Sequence, residues 1–183
     1  MGIFDKLKNL DRLKNPALIE LIKDQRLKEV VTRREFRVTE EYFHREFIAK
    51  ALDEEMQELS LRFFDGYGEI TGKVKKRPIP FTIPFSVRFA VEAVDFTPKG
   101  KVLHLKVEEV KPLDLDWVTG KVVERIPFLS YREGVITCDL TKVPRLADLF
   151  AYQIKGVRLC DFLTVKELLL KEGEVIGRLG FIL

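Results

Sequence analysis

From Phe85 to Ala93 the chain alternates, with Phe85, Val87, Phe89, Val91 and Ala93 on one side and Ser86, Arg88, Ala90 and Glu92 on the other. A period of two over this length is a β-strand with one face buried, extending from Phe81 to Phe96. Such a strand needs partners for its backbone and a cover for its apolar side. Pro80 and Pro84 hold its start at an edge or a bend, since proline brings no N–H to a ladder. Thr97-Pro98-Lys99-Gly100-Lys101 then turns the chain into a partner strand, where Leu103, Leu105 and Val107 face in and His104, Lys106 and Glu108 face out. Glu109 breaks the phase before Leu113, Leu115 and Trp117 restore it, the mark of a bulge.

The same alternation recurs on either side. Leu59, Leu61 and Phe63 run into the turn residues Asp65-Gly66-Tyr67-Gly68, and Ile70, Gly72 and Val74 come after them, which is a hairpin. Tyr131 to Gly134 is a turn and Val135 to Leu140 a strand. A last hairpin joins Leu163–Leu170 to Glu174–Leu183 through Lys171-Glu172-Gly173. Connections this short join antiparallel strands, because parallel ones need long crossovers.

Helical spacing appears in four places. Ile3, Leu7 and Leu10, then Leu18, Leu21 and Ile22, predict two amphipathic helices within residues 3–31, separated at Asn15-Pro16. Thr39 is an N-cap followed by Glu40 and Glu41, where the helix dipole favours acid. Beyond it Phe43, Phe47 and Ala51 form one row and Ile48, Leu52, Met56 and Leu59 a second, predicting a long helix from Thr39 to Glu58 with a wide apolar face. Val118, Val122 and Ile126 predict a short helix over 117–127. Val143–Ile154 reads as a helix with Pro144 in its first turn and Leu146, Leu149 and Phe150 facing inward. The fold class expected is α+β.

A chain of 183 residues buries enough surface for one core without metal or disulfide staples. Phe supplies 14 of its aromatic residues against 4 Tyr and 1 Trp, so the aromatic surface has few polar handles and is built to be dry. The net charge of +3 comes from the first 50 residues. So mild a surplus, without interleaved aromatics, points away from nucleic acid. Cys138 and Cys160 lack any metal or redox spacing, and Cys138 alternates with Ile136 and Leu140 as a buried thiol would. Charges interrupt every apolar run at the start, which leaves no signal-peptide core. The longest uncharged stretch, Pro78–Val87, carries three prolines and is too short to cross a membrane. The expected location is the cytoplasm or the inner face of a membrane.

No catalytic motif stands out. His44 follows Glu40 and Glu41 at helical spacing, which suits either an acid–base pair or a solvated helix face. His104 lies on an outward strand face. Asp114 and Asp116 would share a strand face, but their neighbours bring no further oxygen ligands for a cation. Gly66, Gly68 and Gly72 sit between strands rather than at a helix start, unlike a phosphate loop. Ser130 has no nucleophile-elbow context. The expectation is a protein that is not an enzyme and carries no cofactor or metal. Lys73, Lys75, Lys76 and Arg77 abut Pro78-Ile79-Pro80-Phe81, a pairing of cations with apolar residues that suits anionic lipid headgroups. It equally suits an edge strand guarded against aggregation. Residues 1–31 offer a similar choice between a membrane surface, a protein partner or second copy, and their own domain.

The stretch from Arg37 to Phe89 runs Arg-Val-Thr-Glu-Glu-Tyr-Phe-His into a helix, then Phe-Phe-Asp-Gly-Tyr-Gly-Glu-Ile-Thr-Gly-Lys-Val, then the long Phe/Val strand. It resembles the layout of bacterial lipid-binding domains of the TULIP type, in particular the LmeA-like phospholipid-binding family. Ile154–Leu159 leading to Val165–Gly173 is similar to that family's closing hairpin. The resemblance implies a long helix packed in a strongly curved antiparallel sheet, a lipid-accommodating interior and no catalytic residues. Relatives of this type are usually exported or lipid-anchored, whereas here a basic helical extension precedes the domain. The expected organisation is an amphipathic extension over 1–36 and one domain over 37–183. The expected function is non-enzymatic binding of lipid or another hydrophobic ligand in an apolar groove between helix and sheet. Phe47, Leu52, Met56, Phe85, Val87, Phe89, Leu103, Leu105, Leu168 and Phe181 would line that groove, and Lys73, Lys75, Lys76 and Arg77 would meet the membrane. The alternative is an interaction module whose core is filled.

Overall fold

The computed structural model describes residues 33–112, 116–143, 147, 150–151, 153–154, 157–161 and 163–181, with backbone only at 154, 157, 159, 163 and 181. The chain divides into two units, Met1–Glu35 and Phe36–Leu183. The helices expected within residues 3–31 lie outside the described residues.

The second unit is mostly antiparallel β-sheet. Strand β1 (Glu35–Thr39) leads into a single helical segment, α1, built from Glu40–Phe43, a π-turn over His44–Ile48, and Ala49–Ala51. Strands β2 (Met56–Phe64), β3 (Tyr67–Lys75), β4 (Thr82–Phe96) and β5 (Lys101–Lys111) form a meander. Helix α2 (Asp116–Val123), β6 (Leu129–Arg132) and β7 (Val135–Asp139) come next. A 3-10 turn (Leu140–Lys142), the short pair β8 (Gln153–Ile154) and β9 (Val157–Arg158), and the hairpin β10 (Leu163–Lys171) with β11 (Glu174–Phe181) complete the order. One sheet has six strands in the order β2-β3-β4-β5-β7-β6, and a second has the order β1-β11-β10.

The long helix packed in a sheet, expected over Thr39–Glu58, is not formed, and the fold is β-rich rather than evenly α+β. Leu52 is already extended. The Asp53 carboxylate accepts the N–H groups of Glu55 at 2.8 Å and Met56 at 2.6 Å, which turns the chain out of the helix. Met56 and Leu59, which continued the helical rows in sequence, are both buried in β2, Met56 before and Leu59 within a bulge between Gln57 and Ser60, with Glu58 at φ 53°. An extra residue in a strand moves two same-face side chains from two positions apart to three, and that spacing imitates a helix. Trp117, expected on a strand beside Leu113 and Leu115, instead belongs to α2, while Asp114 and both leucines lie outside the described residues. Of the helix expected at Val143–Ile154, only 147, 150 and 151 are described as helical, and Gln153–Ile154 form β8.

Leu59, Leu61 and Phe63 of β2, Val74 of β3, and Phe85, Val87 and Phe89 of β4 form the centre of the core. Its cover comes from three short pieces: Ile48 and Ala51 of α1, Val118 and Val122 of α2 with Ile126, and Leu170 and Val175 of the terminal hairpin. Gly68 and Gly72 of β3 lie opposite Phe89 and Phe85 of β4 in register. Each aromatic ring lies over its glycine, and a methyl group at Gly72 would stand 2.9 Å from the Phe85 ring.

At the edge of the six-stranded sheet, β2 turns the outward backbone groups of Leu61 and Phe63 toward α1. The Phe63 N–H donates to the Glu40 carboxylate. His44 Nε2 stands 3.2 Å from the Leu61 nitrogen and 2.8 Å from its carbonyl oxygen, so it satisfies one or the other according to its tautomer. The Phe63 carbonyl accepts from Gly173 N–H at 3.1 Å, and the Gly173 carbonyl accepts from Glu40 N–H at 3.0 Å. The match is geometric: four helical residues rise about 6 Å, and two strand residues span about 6.7 Å. A helix pair at i and i+4 therefore reads alternate residues of an edge strand. Replacing His44 by Ala should lower stability by about 1–3 kcal/mol, because it leaves a half-buried backbone group of Leu61 without its partner. Urea denaturation checks this, and an unchanged midpoint would contradict it.

Candidate functional site

The expected groove residues do not share one open surface. Met56, Phe85, Val87 and Phe89 are buried in the core, with Met56 completely inaccessible. Leu105 and Leu168 are half-buried and pack against that core, and Leu103 is half-buried. Leu52 is exposed. The Phe181 side chain lies outside the described residues. Of this set, Phe47 borders an open cavity.

That cavity, of about 330 Å³, lies between α1 and the turn that follows α2. Tyr42 and Phe47 form one wall, and Ile126, Pro127, Phe128 and Val143 the other. The Phe47 and Phe128 rings meet edge to face at 5.0 Å. Glu46, Lys50, Arg125 and Lys142 supply its charge. Arg125 is held by a two-point ion pair with Asp53, whose closest contact is 2.8 Å, and by donation to the Lys121 carbonyl at 2.7 Å. Lys50 approaches Glu46 at 3.8 Å and Lys142 approaches Asp139 at 3.3 Å, and both lysines remain largely exposed. The sequence marks Phe47 through its helical row, but nothing in it places Phe128 opposite.

The basic cluster divides in two. Lys73 is paired with Glu58 at 2.7 Å, and the Lys76 ammonium sits 4.4 Å from the centre of the Trp117 ring. Lys75, Lys76 and Arg77 are all exposed. The Lys75 N–H donates to the Glu55 carbonyl at 2.7 Å, so the loop after α1 lies beside the β3–β4 connection. Leu52 and Phe81, 43% and 65% accessible, are the exposed large hydrophobic residues at this one end of the sheet.

Glu40, His44 and His104 each have partners within the fold. Glu40 and His44 hold the β2 edge. His104 contacts Asp95 at 3.2 Å and the Thr137 hydroxyl at 3.4 Å across neighbouring strands, and none of the three borders the cavity beside α1. Among the described residues no three His, Cys, Asp or Glu side chains gather as metal ligands. Burial, with the charge of Asp139 beside it, pushes the Cys138 thiol up to about 12. Burial also raises Cys160, partly offset by Lys101. Among the described residues no helix is long and apolar enough to cross a membrane. No protein-family model, no curated protein and no solved structure matches the chain.

Desolvation raises the Asp53 carboxyl, but the N–H groups of Met56 and Glu55 and the Arg125 guanidinium outweigh it and hold its pKa below the usual value. A depressed carboxylate stabilises the fold above its unfolded value near pH 4, and that contribution disappears as pH falls through the folded value. Asp53→Asn should therefore be less stable near neutral pH and flatten the acid limb of a stability–pH curve. Parallel curves for the two proteins would refute this. The native thiols should also resist an aromatic disulfide reagent at about pH 8 and react fully after unfolding; rapid native reaction would show a thiolate that the burial forbids.

Proposed function

We propose that the protein binds lipid or a similar hydrophobic ligand without catalysing a reaction, and does so at an anionic membrane surface. The observation that carries this reading is the cavity beside α1, whose two aromatic and aliphatic walls face each other with exposed lysines at the rim. An apolar chain lies along the surface formed by Tyr42, Phe47 and Phe128, and Lys50 and Lys142 receive an acidic headgroup. A volume of this size is at the lower end of what ligand pockets offer. The resemblance of residues 37–89 to the LmeA-like family supports lipid as the ligand class, although the long helix it implies is absent.

The exposed end of the sheet supports the membrane part. Burying a side chain such as Phe81 contributes about 1.5–3 kcal/mol, and each cation near an anionic surface about 1 kcal/mol. Protein purified without detergent should carry lipid in native mass spectrometry and should sediment with vesicles containing phosphatidylglycerol at low salt. Phe47→Glu should empty the cavity of lipid. Replacing Lys75 and Arg77 together by Glu should weaken vesicle binding by at least about thirtyfold and leave the bound lipid in place.

A second reading, an interaction module, is favoured by the filled core around Met56 and Val87. Absence of both co-purifying lipid and vesicle binding would sink the first reading.

A further inference from the structure

Lys101 opens β5 and is 5% accessible, a rare burial for lysine. The turn Thr97–Lys101 puts it there: Thr97 N–H donates to the Gly100 carbonyl at 2.8 Å, and Gly100 N–H donates to the Thr97 hydroxyl at 3.2 Å. The Lys101 ammonium donates to the Thr97 carbonyl at 2.8 Å. It stands 4.6 Å from the centre of the Phe96 ring and 5.5 Å from that of Phe150. Ring faces attract a cation but leave its charge in place. Among the described residues no carboxylate pairs with it, and one carbonyl engages only one of its three N–H donors.

Lys101 also borders a cavity of about 150 Å³, separate from the one beside α1, together with Lys99, Phe150, Arg158 and Asp161. Among the described residues Asp161 is the cavity's only acidic lining residue. It pairs with the Arg158 Nε at 3.4 Å, which leaves the outer guanidinium nitrogens available for a ligand. Among the described residues, three cations against one committed carboxylate, around a buried ammonium with unused donors, call for a group that only accepts hydrogen bonds and carries negative charge.

We propose that this cavity is a binding site for a small oxyanion of the phosphate type, either free or as the phosphoryl group of a larger molecule. Lys101 supplies the buried charge, and Lys99 and Arg158 close over the anion from the rim. The site is independent of lipid binding beside α1.

Thermal unfolding in inorganic phosphate, against chloride at matched ionic strength, tests it. Phosphate should raise the melting temperature by roughly 2–4 °C more than chloride does. Lys101→Met keeps the stem packed between the two rings and should abolish the difference. Arg158→Gln, at an exposed position, should reduce it, which provides a test should the first variant fail to fold. An equal response to both salts, or a phosphate effect that survives Lys101→Met or is undiminished in Arg158→Gln, would overturn the proposal. Vesicles containing phosphatidic acid distinguish the source: Lys101-dependent binding that inorganic phosphate displaces supports a lipid headgroup, and a phosphate response with no such binding supports a free phosphoryl ligand.

Discussion

The outer edge of β2 is where the second unit would be most vulnerable. A nine-residue strand with alternate apolar side chains and a free row of N–H and C=O groups is a template for pairing with another chain. Here the row is closed from two directions. Glu40 and His44 approach from the helix, and Gly173 approaches from the terminal hairpin, donating to Phe63 and accepting from Glu40. Because the same contacts fix where α1 lies, they also place Ile48 and Ala51 over the core and turn Phe47 away from it, toward Phe128. The cavity beside α1 is thus a by-product of how the sheet edge is sealed.

Much of the sheet was legible from alternation alone. The hairpin of β2 and β3, the long β4 and its turn into β5, and the last hairpin lie where a period of two and short turns put them, because one buried face imposes that period. The length of the helix was not legible. Leu52, Met56 and Leu59 satisfy a helical row, and only the Asp53 side chain, bonding backbone N–H groups two and three residues on, reveals that the chain has left the helix. The bulge at Gln57–Ser60 then preserves the illusion by spacing buried residues three apart. The phase break read at Glu109 has a counterpart in a register shift between Arg88 and Phe89 of β4 against Glu109 and Val107 of β5.

The candidate site was less legible still, since it depends on pairings across the fold. The helical spacing of Glu40 and His44 admits acid–base chemistry in sequence, yet their partners are backbone atoms of a strand some twenty residues on. Four adjacent cations look equivalent between Lys73 and Arg77, but one is neutralised by Glu58 and another rests on Trp117. Lys101, an unremarkable member of a turn in sequence, becomes the most deeply buried cation among the described residues because Phe96 and Phe150 converge on it. Side-chain chemistry is written in the sequence; its accessibility and its partners are set by contacts between distant segments.

The meeting of Glu40, Phe63 and Gly173 has a consequence in time as well as in space. Glu40 and Phe63 lie 23 residues apart, but Gly173 lies more than a hundred residues beyond them and must be present before the β2 edge is closed, and contacts of such sequence separation form slowly. While the chain emerges in order, β2 and β3 can pair as a hairpin long before residues 163–181 exist. During that interval the edge stands open to neighbouring chains, so the terminal hairpin acts as a cap whose late arrival sets how long the nascent protein remains prone to aggregation.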